Sequence, residues 1–144
     1  MGSFAVVAVV QRETGGDASL DAFKGLARRR PTLAIAMTVF LLAQAGVPFT
    51  SGFIAKFGVI QAAVDENSYA IAIIAMVAAV VAAFLYLKIM VSMWLADPAD
   101  ESQGVPVPFG AGLAIAAAVA FTLIVGVFPG WLIEASNTVT DYAR

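Results

Sequence analysis

The chain has 144 residues, of which 61% are hydrophobic and 12% charged; its formal net charge is −2 and its mean hydropathy +0.91. A soluble domain of this size cannot hide so much apolar surface, so the composition is that of a membrane protein. The absence of cysteine and histidine argues against iron–sulfur, haem or zinc centres built from this chain, and one small basic cluster is too little for a nucleic-acid surface.

In chain order, Ser3–Val10 (SFAVVAVV) is an apolar run of about 12 Å as a helix, far short of a span. A signal peptide needs a basic stretch before such a run and a small-residue cleavage site after it, whereas Gln11-Arg12-Glu13 follows here. Residues 1–10 therefore read as the end of a longer transmembrane helix, with more protein upstream. Residues 11–31 form a polar connector with Arg12, Lys24, Arg28, Arg29 and Arg30, and positive charge of this density places it in the cytoplasm. Within it Ser19 is positioned to cap a short helix whose Leu20, Phe23 and Leu26 share one face, facing the membrane surface or neighbouring helices. The three consecutive arginines read as a topology signal and phosphate anchor. Pro31 suits the first turn of the next helix.

Thr32 to Val64 contains a single charged residue, Lys56. Its 33 residues would extend roughly 50 Å as one helix, against a bilayer core of about 30 Å. The middle reads Gly46-Val47-Pro48: Pro48 has no N–H for the carbonyl of Gln44 and crowds it, and Gly46 adds backbone freedom beside the defect. The pattern predicts a broken transmembrane helix over 32–64, in halves of about 32–45 and 50–64, with the break facing protein or water. Two readings of Lys56 compete. It snorkels to headgroups, or it marks an ion path. Eight residues to Val64, about 12 Å, and apolar or small neighbours favour the path.

A short acidic turn, 65–68, falls on the external side. A second span covers 69–95, with Tyr69 and Trp94 as interfacial aromatics and Ala75, Ala79, Ala82 and Ala83 spaced for close helix approach. Lys88 lies about 10 Å from the end of this span. It either snorkels or joins the path of Lys56. Residues 96–108 (ADPADESQGVPVP) read as a cytoplasmic loop. The last span covers 109–128, Pro129 acts as a terminator, and 129–144 is an external tail with Trp131 at the interface and Glu134 nearby. The expected fold is all-α, a polytopic transmembrane helix bundle with one discontinuous helix.

A proton path needs groups that change charge near neutral pH. Burial can lower an amine's pKa by several units, and a nearby carboxylate raises it again. The predicted spans contain Lys56 but no Asp or Glu, so its carboxylate partner has to come from elsewhere. Gln44, Thr50 and Ser51, with Thr38 a weaker candidate, could hold waters at the break or satisfy its freed backbone groups. No nucleophile–base pair, phosphate loop or nucleotide fingerprint is present.

FKGLARRRP (23–31) and AMTVFLLAQAGVPFTSGFIAKF (36–57) resemble the antiporter-like membrane subunits of respiratory complex I, most of all the N subunits of bacterial NADH–quinone oxidoreductases. The family pattern is a Gly-[Ile/Val]-Pro-Pro break followed by Gly-Phe and Lys-Phe; here Phe49 stands in place of the second proline. The resemblance implies that Lys56 occupies the position of the lysine on the family's discontinuous twelfth helix. It implies a multi-pass protein of the bacterial inner membrane, partnered by other membrane subunits and acting on the quinone pool through them. NADH, FMN, iron–sulfur clusters and quinone would then be bound by other subunits and none by this chain. A basic residue follows the aromatic-Leu pair in these proteins, as Lys88 follows Tyr86-Leu87 here. The alternatives are a subunit of a multisubunit sodium/proton antiporter or membrane-bound hydrogenase, and a purely structural membrane module in which Lys56 only satisfies carbonyls freed by Pro48.

Overall fold

The computed structural model describes residues 2–97, 107–128 and 130. Most of the expected 96–108 loop, together with Pro129, Trp131 and Glu134, lies outside the described residues. Among the described residues every regular element is helical: α1 Gly2–Glu13, α2 Leu26–Arg29, α3 Pro31–Ala45, α4 Ser51–Asp65, α5 Tyr69–Leu95 and α6 Phe109–Val127, with a 3-10 turn at Leu20–Phe23.

Helix α3 is the hub. It packs against α1, α2, α4, α5 and α6 through Leu33, Ala34, Ala36, Met37, Phe40, Leu41 and Ala43, all buried, while Ile35 on its other side is exposed. Val6, Val9 and Val10 of α1, Met93 of α5 and Ile115 of α6 complete the core around it. Pro31 occupies its first turn, where a missing N–H costs nothing. Helices α5 and α6 are long and apolar enough to cross a membrane; α3 alone, at 15 residues, reaches only about 22 Å. Helix α4 has no buried residue and α5 only two, Ala72 and Met93.

The connector docks on helices rather than lying on a surface. Gly25, in the left-handed region at φ 63°, divides the expected short helix into the 3-10 turn and α2. This division changes the expected apolar face: Phe23 and Leu26 are buried in the core, while Leu20 is exposed. Ser19 does not cap with its side chain; its hydroxyl donates to the Asp17 carboxylate at 3.0 Å. The Gly25 N–H donates to the Ser92 carbonyl of α5 at 3.3 Å. The arginines have partners inside the chain: Arg28 pairs with Asp97 at 2.6 Å, Arg29 donates to the Ala22 carbonyl at 2.8 Å, and Arg30 pairs with Glu13 at 2.9 Å. The Glu13 side chain is only 4% exposed, so this ion pair ties the end of α1 to the start of α3 away from water.

Candidate functional site

An α-helix leaves its last four carbonyls without intrahelical donors. At the end of α3 these belong to Leu42, Ala43, Gln44 and Ala45, and each one has a donor. Gly46 takes φ 82°, ψ 37°, which glycine adopts without a Cβ penalty. This turns the chain so that the Val47 N–H reaches Leu42 O at 3.1 Å and the Gly46 N–H reaches Ala43 O at 3.0 Å, the paired pattern of a glycine-terminated helix. The remaining two carbonyls accept from one side chain: Lys56 Nζ lies 2.7 Å from Gln44 O and 3.0 Å from Ala45 O. Its cationic head thus sits on the negative end of the α3 dipole.

The reach of Lys56 follows from helix geometry. Side chains on an α-helix lean toward its N-terminus, and the N-terminus of α4 is at the break. Lys56, on the second turn of α4, therefore extends back over Ser51–Ala55 to the end of α3. Three glycines make room for this arrangement. A Cβ at Gly46 would lie 2.8 Å from Lys56 Cδ. A Cβ at Gly52 would run into the Ala43 carbonyl, and one at Gly126 of α6 into the backbone of Phe49 and Thr50. Helix α6 thus packs backbone to backbone against the break.

Between the helices the chain turns through Val47, Pro48, Phe49 and Thr50. Phe49 has φ 68°, a value that the ring of a second proline would forbid. The Thr50 hydroxyl donates to the Val47 carbonyl at 2.6 Å in a buried position, so it satisfies the freed backbone. Ser51 begins α4 half-buried. Gln44 contributes its carbonyl; its side-chain amide turns away and donates to Ser3 Oγ of α1 at 2.9 Å. Thr38 is not at the break: it donates to Ala34 O and accepts from Trp94 Nε1 at 3.0 Å.

Lys56 is half-buried and borders a groove of about 420 Å³ between α4 and α5, lined by Ala75, Ala78, Ala79, Ala82 and Tyr86 as well as Gln44 and Val59. Alanines on α5 create this space. Lys88 is not brought to it. Tyr86 lines the groove, and two residues further on is roughly 200° around an α-helix; Lys88 is exposed on the opposite face of α5.

Residues 1–82 match the model of the NADH:quinone oxidoreductase/Mrp antiporter transmembrane family. The chain belongs to this family. The matched span includes α3, α4, Lys56 and the α5 alanines of the groove. Among curated relatives, NADH-quinone oxidoreductase subunit N 3 of Streptomyces griseus is 38% identical over the whole chain. Subunit N of Rhodococcus opacus is 33% identical over the whole chain, and subunit N 1 of Herpetosiphon aurantiacus 39%. The chain covers 26%, 27% and 28% of these three proteins, respectively, so it spans about a quarter of their length. Among the described residues no group of three His, Cys, Asp or Glu is placed to hold a metal.

Sequence reasoning missed two features. The Glu13–Arg30 pair is not legible locally, because Glu13 ends α1 and meets Arg30 only through the fold. The backward reach of Lys56 was readable in principle from the side-chain lean on a helix beginning at the break.

Proposed function

We propose that this chain is part of a subunit N of a bacterial NADH–quinone oxidoreductase, in which NADH oxidation by quinone is coupled to proton translocation, and that Lys56 is a proton-path residue. In this reading α3 and α4 together cross the inner membrane as one discontinuous helix within a multi-pass bundle. Residues 11–31 face the cytoplasm and the 65–68 turn faces outward. Other subunits hold NADH, FMN, iron–sulfur clusters and quinone; this chain supplies no redox group.

The carrying observation is the position of the Lys56 amine across the break. An ammonium has three N–H donors, and two are taken by Gln44 O and Ala45 O. The neutral amine keeps two N–H groups. It can therefore release the third proton toward the α4–α5 groove without abandoning either carbonyl. Lys88, on the far face of α5, has no such access to the groove.

The experiment is Lys56→Met in the full-length protein. Proton uptake into inverted vesicles driven by NADH is normalised to assembled complex, with NADH–ferricyanide activity as the assembly control. Uptake should fall to background; uptake at the wild-type rate per complex would remove Lys56 from the path.

A further inference from the structure

The turn 47–50 sets how α4 sits on the end of α3, and so sets where Lys56 can reach. Little within the turn holds it in place. Phe49 stands at φ 68°, a conformation that a Cβ disfavours, and its ring is 74% exposed, so the ring gives that conformation little support. Helix α4 buries none of its residues. Support comes from the end of α6, where Thr122, Val125 and Gly126 are buried at the spacing of a single helix face. Gly126 meets the turn with bare backbone. A Cβ there would run into the Phe49 carbonyl oxygen and Thr50 Cα and would lie 2.6 Å from the Phe49 carbonyl carbon. Thr50 is itself buried.

We infer that Gly126 is a positioning residue for Lys56: α6 clamps the turn through it, and the clamp sets the distance from the Lys56 amine to the end of α3. The consequence for proton transfer rests on Lys56 being a proton-path residue; the clamp itself does not. Carbon atoms pack at about 3.5–4.0 Å, so a methyl at position 126 forces a displacement of roughly 1 Å. The turn is what yields, because α6 is backed by α1 and α3 whereas α4 has no buried anchor. Lys56 lies five residues after Ser51 on one continuous helix, so a shift at the start of α4 carries through to it. Its bonds to the Gln44 and Ala45 carbonyls, at 2.7 and 3.0 Å, pass the usual limit of about 3.2 Å when moved that far. A misplacement of about 1 Å can lower a rate on the order of 100-fold. Gly110, in the first turn of the same helix, has open space where its Cβ would stand, which makes it the matched control.

The test uses the full-length protein in the assembled complex. Gly126→Ala should speed amide exchange at Val47 and Phe53, whose N–H groups donate to Leu42 O and Thr50 O on the two sides of the turn, at least tenfold. NADH-driven proton uptake per complex should fall at least tenfold, and Gly110→Ala should change neither quantity. Adding Phe49→Gly should restore at least half of the lost uptake, because glycine lets the peptide after residue 49 turn away from the new methyl. A general loss of α6 packing would not respond to that second change. If Gly126→Ala lowers the amount of assembled complex instead, Phe49→Gly should restore that amount. Unchanged exchange, equal effects from Gly110→Ala, or no recovery on adding Phe49→Gly would each overturn the inference. Fast exchange with wild-type uptake also overturns it where Lys56→Met abolishes uptake. Where Lys56→Met pumps normally as well, the proton-path reading fails and the fast exchange upholds the clamp.

Discussion

Replacing Gly46 with alanine should displace Lys56 without touching its charge. Two costs can be worked from the structure. Residue 46 sits at φ 82°, and an L-residue with a Cβ in the left-handed region costs about 1–2 kcal/mol. The new methyl would stand 2.8 Å from Lys56 Cδ, whereas carbon atoms pack at about 3.5–4.0 Å. The lysine stem must therefore retreat by roughly 1 Å. Such a shift takes its hydrogen bonds, now 2.7 and 3.0 Å, beyond the usual limit of about 3.2 Å. Losing one charge-assisted bond costs about 1.5–3 kcal/mol when buried; half-exposure of Lys56 reduces this to about 1–2 kcal/mol. The sum, about 2–4 kcal/mol, is roughly a 30- to 1,000-fold change in a local equilibrium. Amide exchange at Gly46 and Val47, measured by mass spectrometry on the assembled complex, should accelerate by that range, and proton uptake per complex should fall at least tenfold. Pro48→Ala is the control: it leaves the turns at Gly46 and Phe49 in place and should change exchange far less. Unchanged exchange and pumping in Gly46→Ala would refute the argument that Gly46 makes room for Lys56.

Phe49→Gly should stabilise the purified protein by about 0.5–1 kcal/mol, because relief of the left-handed strain outweighs the added freedom of the unfolded chain; Phe49→Pro should destabilise it, and a proline variant with an unchanged thermal midpoint would show that the turn takes another form. A double-mutant cycle between Glu13→Gln and Arg30→Gln should give a coupling of about 2 kcal/mol, since Glu13 is 4% and Arg30 24% exposed and the pair is poorly screened; coupling near zero would mean that the connector is held by its other contacts.

The parts of the fold legible in the sequence are those fixed by local chemistry. Tyr69–Leu95 reads as a helix because nothing in it interrupts an apolar run, and Gly46 ends α3 because glycine is suited to the turn there. The destination of each side chain was less legible. Gln44 lines the α4–α5 groove, but the sequence does not show that its amide finds Ser3 across 41 residues. Thr38 looked near the break and instead meets Trp94. Lys56 and Lys88 look alike in composition. Their separation depends on which face of α5 packs against α4, a tertiary fact that an all-apolar helix with no polar stripe does not encode. For the connector's apolar face the sequence leaves the membrane surface and neighbouring helices both open, because burial of Phe23 and Leu26 beside Met93 depends on the distant end of α5.

Lys56→Arg separates the two roles that one side chain can play here, a cap on α3 and a carrier of protons. A guanidinium can donate to the carbonyls of Gln44 and Ala45, but it stays protonated at any physiological pH. The decisive measurement is NADH-driven proton uptake into inverted vesicles containing Lys56→Arg, normalised to assembled complex. Assembly should be normal and uptake severely reduced; full uptake would show that a fixed positive charge on the end of α3 is sufficient and that Lys56 does not carry the proton.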